Sequence, residues 1–460
     1  MAQARRDENV VTSLLGVSNV DGSTPVVVYA DPVTHRLLVD GCGAGDQAFD
    51  ASVGTACGGT YATVKAAVDD NKKRILVLCD TTETANIDPP LATTDLLINI
   101  VPTATWNLAT FIVTNTNPLD LTLQGGGTLT YAYTVTNTRP FSLFDTDTLK
   151  INDLIIDNNS TVDNTPLSFG LEHISNVRFL LPNQGRGGIT TNGDIADLFA
   201  SSYHDIEFVG GGTSCTSAFL SADSEAGANI TNISFLGTFK PATSPPTGNF
   251  NTEYVAVFRG VNITNIFFDY IGSSSFYFET SNVNNLFYGD QSLITGVLLD
   301  LSFSNALSNF NGNDGITVSF FLDGFNQINN VSLRGTAIFD LDNSDQNLLS
   351  NILVGTGFID MTDASCSENQ LINCRMSAAS SIGGDNNKFT NCEFVGGATV
   401  VSGANDNGFS NCQFGADAGS GVLTITVDAG SNRTRIVGCM TDAAISDAGT
   451  GTTTAGNAVY

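Results

Sequence analysis

The sequence predicts an all-β chain: a right-handed parallel β-helix over residues 59–460, preceded by a small segment of different character over residues 1–58. Three observations point there. A four-residue pattern recurs at coil-length intervals, strand and turn residues dominate the composition, and the chain is too long for one globular core.

With 460 residues the chain exceeds the size at which a single core stops growing, so it forms several domains or a core extended in one dimension. Composition favours the second. Charged residues are 14%, with 46 Gly and 29 Phe, and Asn, Thr and Ser fill the polar positions, the usage of strands joined by tight turns.

The repeat is Asn or Asp, an apolar residue, any residue, then an apolar residue. It reads Asp153-Leu154-Ile155-Ile156, Asn176-Val177-Arg178-Phe179, Asp205-Ile206-Glu207-Phe208 and Asn232-Ile233-Ser234-Phe235, then Asn265-Ile266-Phe267-Phe268 and Asn285-Leu286-Phe287-Tyr288. Further copies begin at Asn330, Asn351, Asn373, Asn391 and Asn411, with Gly438-Cys439-Met440 a degraded one. Most copies are about 18 to 33 residues apart, a solenoid coil length. The two apolar residues of each copy are two apart, so both point into the coil. The leading Asn suits the bend into the strand.

Ile75-Leu76-Val77-Leu78, Leu96-Leu97-Ile98 and Leu119-Asp120-Leu121-Thr122-Leu123 extend the pattern upstream. Val64, Ala67 and Val68 lie at helical spacing within Tyr61–Asp70, which predicts a short helix capping the first coil. Pro182–Gly188 and Pro241–Gly248 fall in the long intervals from Asn176 to Asp205 and from Asn232 to Asn265 and read as surface loops, beside which a ligand site is expected. In residues 1–58, Val26–Tyr29 and Arg36–Asp40 predict a two-stranded unit, with Gly41–Gly59 as linker.

The net charge of −28 repels phosphate backbones and anionic bilayers, so nucleic acid and membrane are not expected partners. The start, Met1–Val20, is too polar for a secretory leader, and no apolar run approaches the ~20 residues of a membrane span. A soluble protein without a signal peptide is expected. Nine cysteines without C-x-x-C fit neither a disulfide framework nor a zinc site.

The stretch Arg6-Asp7-Glu8-Asn9, then Ser18-Asn19-Val20-Asp21-Gly22, Thr24-Pro25-Val26 and Asp31-Pro32-Val33-Thr34-His35-Arg36-Leu37-Leu38-Val39 resembles the N-terminal segment of tailed-bacteriophage virion proteins. The body resembles, by pattern, the pectate-lyase-like β-helix of phage tailspikes and fibres. The resemblance implies a homotrimer on the tail or capsid surface, joined through its N-terminus to other virion proteins, with Arg6, Asp7, Glu8, Asn9, Pro32, His35, Arg36, Leu37 and Leu38 in the attachment segment. A structural appendage touching the host surface, its glycan or another virion protein is the first expectation. A tailspike depolymerase is the alternative.

Glycoside hydrolysis needs two carboxylates ~5–9.5 Å apart, and adjacent coils place equivalent positions ~4.8 Å apart. Asp194, Asp197, Asp205 and Glu207 form the cluster to test, although solvated carboxylates are the commoner outcome of such residues. His35, His173 and His204 form no motif, and Asp340, Asp342, Ser344 and Asp345 lack the glycine and terminal Glu of a calcium loop. No cofactor or metal is expected. The repeat's Phe residues in the phase of Ile156, Leu333 and Met376 are expected to form stacks inside the coil. Cys374, Cys392, Cys412 and Cys439 share the apolar phase of four copies and are expected to stack inside as free thiols, because parallel side chains do not converge as a disulfide requires.

Overall fold

The structure, a computed structural model, describes three short strands between residues 14 and 39 and then residues 49–459 apart from short segments, the longest being 191–201, 221–228, 243–252 and 416–424. The chain divides into two units, Met1–Asp50 and Ala51–Tyr460.

The first unit holds an antiparallel sheet in which Leu14–Val17 pairs with Pro25–Ala30, and that strand with Leu37–Val39. The sheet has three strands where the sequence pattern predicted two. The boundary also moves. Ala51–Val53 pairs in parallel with Ile75–Val77, so the stretch read as linker up to residue 59 contains the first rung. Three residues with Ala51 and Val53 inward are too few to show a period.

The second unit is a parallel β-helix with three faces. On the first, each short strand pairs in register with its equivalent one coil on, from Ala51–Val53 through Asp95–Ile100 and Gln327–Asn329 to Thr453–Ala455. The second face carries the repeat: Val177 lies beside Ile206, then Ile233, Ile266 and Leu286. The third face includes Ala256–Arg259, Phe276–Glu279 and Leu299–Ser302. The upstream strands at Arg74–Val77, Asp95–Ile100 and Asp120–Gln124 belong to the first face, and the second face at those levels is Thr105–Ala109 and Thr128–Tyr131.

The leading residue of the repeat turns the corner between these faces. Asp153, Asn176, Asp205, Asn232, Asn285, Asn309, Asn330, Asn351, Asn373, Asn391 and Asn411 all have φ between 51 and 70°. That left-handed region suits Asn, Asp and Gly, and Gly438 and Gly456 occupy it at the last two coils with φ of 65 and 64°.

Inside, Phe179, Phe208, Phe235 and Phe268 stack from coil to coil with centroids 5.2, 5.7 and 6.2 Å apart. Each contact adds about 0.5–1.5 kcal/mol beyond burial. Phe394 and Phe414, in the same phase of later copies, are buried as well. Phe267 and Phe287 occupy the unspecified third position, point outward and stack on each other at 5.4 Å.

A ladder absent from the sequence pattern lines the corner between the third face and the first. Asn305, Asn326, Asn347, Asn369, Asn387 and Asn407 are each no more than 1% exposed. The Asn326 N–H donates to Asn347 Oδ1 (2.8 Å), Asn347 N–H to Asn369 Oδ1 (2.9 Å), Asn369 N–H to Asn387 Oδ1 (2.9 Å) and Asn387 N–H to Asn407 Oδ1 (2.9 Å). The amide groups also donate to nearby carbonyls, as Asn387 Nδ2 does to Cys366 O at 2.8 Å and Gly383 O at 3.0 Å. Only a side chain with both donor and acceptor closes such a corner.

The N-terminal end is covered by the helix Val64–Asp69, which buries Val64, Ala67 and Val68 and is capped by Thr63. Buried Glu83 accepts from the Val64 N–H (2.9 Å), the Lys65 N–H (3.2 Å) and Trp106 Nε1 (2.8 Å), tying helix to coil. A Cys57–Cys79 disulfide lies at the same end, so one bridge exists where the cysteine pattern predicted none.

Candidate functional site

An open groove of about 440 Å³ runs along the corner between the first and second faces over four coils, lined by Asp153, Asn176, Arg178, Asp205, Glu207 and Asn232 among others. Its floor follows from the fold. Corner residues in the left-handed conformation project their amides and carboxylates outward, one per coil. Asn232 Nδ2 donates to Asp205 at 2.8 Å, and Asn176 Nδ2 donates to Asp153.

Arg178 faces Glu207 across adjacent coils at 3.5 Å, both about half exposed, a geometry worth less than about 1 kcal/mol. Nearby, His173 Nδ1 lies 3.0 Å from Ser202 Oγ, and burial together with the Lys150 charge holds its pKa below the ordinary histidine value. His204 Nδ1 lies 3.5 Å from the Asp205 carboxylate.

Asp205 and Glu207 therefore share one groove, Asp205 held by the corner amide and Glu207 by an arginine. Asp194 and Asp197 lie outside the described residues. So do Arg6, Asp7, Glu8, Asn9, Pro32, His35 and Arg36, whereas Leu37 and Leu38 are in the third strand of the N-terminal sheet. The groove offers hydroxyl-binding chemistry in a row: amide donors, carboxylate acceptors and one guanidinium, repeated at the coil spacing. Among the described residues no group of three or more His, Cys, Asp or Glu side chains is arranged to hold a metal ion.

A second cluster, on the outside of the third face, has no counterpart in the sequence reading. Val257 and Tyr277 pair outward and are covered by Tyr254, itself fully buried. The Tyr254 hydroxyl donates to Asp300, a residue 46 positions on. Burial pushes the Asp300 carboxyl up to about 6 against the pull of that hydroxyl, with Asp323 and Glu253 adding to the rise. Beside it Arg259 pairs with Glu279 at 2.8 Å and sits over the Tyr277 ring. The available signal was one carboxylate inside the apolar run Val297-Leu298-Leu299-Asp300-Leu301.

Cys374, Cys392, Cys412 and Cys439 are buried and free, one on each of four successive coils just inside the Asn corner. The Cys412 N–H donates to Cys439 Sγ at 3.4 Å. Asn457 follows in the next coil, where its Oδ1 accepts from the Cys439 N–H at 2.8 Å. Hydrogen bonding to Cys392 and burial hold Cys374 and Cys412 above the ordinary thiol range.

No family model matches the chain, and no curated protein matches it. Among solved structures it is similar to bacteriophage CBA120 tailspike protein 3, with 12% identity, 86% of this chain and 57% of that one covered, and a TM-score of 0.23. The chain thus spans less than two thirds of that protein's length.

Proposed function

We propose that the protein is a structural virion appendage, a homotrimeric fibre or spike attached to the particle by its first unit and presenting the β-helix to the host surface or to another virion protein. The observation that supports this reading is the division of the chain into two units. A small antiparallel unit, Met1–Asp50, contains the segment that resembles phage attachment sequences, and it is separate from a solenoid whose apolar interior is continuous from Ala51 to Cys439. A solenoid gains stability coil by coil, so the first unit is not needed to fold the second. Deleting residues 1–50 should leave a folded, trimeric β-helix that no longer joins particles. Incorporation of the truncated protein at normal copy number would refute the attachment role. The cut belongs at residue 50, because a deletion to 58 removes the rung Ala51–Val53.

The Asp300 cluster supports a second reading, cleavage of a surface polysaccharide. A carboxyl with a raised pKa is what a general acid requires, and Asp323 and Glu253 are close enough to influence it. Release of reducing ends from host polysaccharide by the intact protein, abolished by Asp300→Asn, would establish it. Equal release by the variant would remove Asp300 from consideration.

A further inference from the structure

Charge is unevenly distributed around the middle of the solenoid. Every outward position of the first face from Asn229 to Ile372 is uncharged, including Thr264, Asn282, Asn284, Ser308, Asn329 and Ser350. The bordering outward row of the second face continues it with Ser234, Phe267, Phe287, Asn311, Ser332 and Leu353. Charge returns on the first face at either end, at Lys150 below and at Lys388 and Arg435 above. At the same levels the third face carries Glu279, Asp300, Asp323, Asp340 and Asp360 against Arg259. A chain of net charge −28 leaves one long strip neutral.

We infer that this strip, the first face between Asn229 and Ile372 with its border on the second, is the surface through which copies of the chain pack around a threefold axis. The inference rests on the trimeric reading above and names the surface it uses. Symmetry supplies the reason. Near a rotation axis each residue meets its own copies, so a charge of either sign there faces like charges. Like charges a few ångströms apart repel even in water, and more strongly where water is excluded. A neutral strip avoids that cost while the acidic third face points away.

The strip is also preorganised. Ser308 Oγ and Asn309 Nδ2 both donate to Asn284 Oδ1, at 3.1 and 2.7 Å, and Ser350 Oγ and Asn351 Nδ2 both donate to Asn329 Oδ1 at 3.0 Å. Side chains already held in ladders lose little entropy on packing. A shallow groove of about 350 Å³ among Asn262, Thr264, Asn282, Asn284, Ala306 and Ser308 leaves room for a neighbour's side chains, and exposed Phe267 stacked on half-buried Phe287 adds apolar contact.

The test uses the full chain carrying Asn284→Asp and Asn329→Asp together. Each keeps the oxygen its neighbours donate to and adds one negative charge. Sedimentation of wild-type protein at micromolar concentration should give three times the 48.2 kDa chain mass. The double variant should sediment as the monomer in low salt with an unchanged far-UV spectrum, and reassociate as salt screens the repulsion. Gln327→Glu, at an exposed position of the same face, should weaken assembly at least tenfold without touching the ladders. Thr317→Asp, exposed on the third face, should leave the trimer intact. A double variant that stays trimeric like wild type would overturn this surface while leaving the trimer standing. A monomeric wild-type protein would overturn both.

Discussion

The same residue type lines two corners of the same coils under opposite conditions. Asn at the corner before the first face is buried and bonded to backbone above and below; Asn at the next corner is mostly exposed, in the left-handed conformation, with its amide bonded to the neighbouring corner amide. The pairs are four residues apart, Asn326 with Asn330, Asn347 with Asn351, Asn369 with Asn373 and Asn387 with Asn391. Substitutions along the ladders show what each corner requires. Where the exposed ladder loses its Asn, glycine takes over at Gly438 and Gly456, keeping the backbone angle. Where the buried ladder loses it, Thr434 stands fully buried with its Oγ1 lacking a hydrogen-bond partner. One corner selects for backbone conformation and the other for an amide.

The largest effect belongs to the buried corner. Asn347→Ala removes the acceptor of the Asn326 N–H and leaves a cavity, at a cost of about 2–4 kcal/mol. Asn347→Gly should be at least as damaging. Denaturant midpoints at constant m-value would measure both. A Gly variant clearly more stable than the Ala variant would show that this corner, too, is governed by backbone angle.

At the exposed corner that order should reverse. Asn373 has φ 55° and donates to Asn351 Oδ1 at 3.1 Å. Asn373→Ala should cost about 1–2 kcal/mol through its left-handed backbone, and Asn373→Gly no more than about 0.5 kcal/mol. Equal losses in the two variants would assign the corner to the amide ladder.

This contrast also marks how far the sequence could be read. The exposed corner was legible because its Asn opens a strand whose next and third residues are apolar, a signal repeated in nearly every copy. The buried Asn was not, because one polar residue in a loop carries no mark of burial; the recurrence of Asn four residues ahead of the corner, from Asn305 to Asn407, was the signal that could have exposed it. Candidate sites fared unevenly for the same reason. Asp205 and Glu207 lie in the repeat, so their common groove followed from the coil geometry. Asp300 gained its partner from Tyr254 in a different coil, and no local pattern brings those two together. The first rung was missed because Ala51–Val53 is too short for a period.

Thr434 offers the next smaller test. Its hydroxyl is too short to play the part of an Asn amide, so Thr434→Asn should extend the buried ladder by one coil and raise stability by about 1 kcal/mol, the net worth of one satisfied buried hydrogen bond. Thermal unfolding would report it as a rise in Tm. A fall would mean that the Asn407 coil cannot accommodate the larger side chain, and the ladder would then end at Asn407 for reasons of packing.

Gly438→Asn is the smallest change and the most direct check on the exposed corner. Gly438 has φ 65°, an angle asparagine already adopts at Asn411 one coil earlier (φ 54°), so the backbone need not move. A Cβ added there would stand 2.8 Å from Asn411 Oδ1, but that atom ends a flexible side chain and can rotate away. The new amide could then donate to it, as Asn391 Nδ2 does to Asn373 Oδ1 at 3.3 Å. Replacing Gly also removes freedom from the unfolded chain, worth about 0.4–1 kcal/mol in favour of folding, which offsets the residual cost of a side chain at positive φ. The expected change is within about 0.5 kcal/mol of zero in a denaturant titration. A loss above about 1 kcal/mol would show that Gly438 is there for close packing against Asn411, and the rule that Asn and Gly are interchangeable at this corner would fail at the coil where the sequence itself makes the exchange.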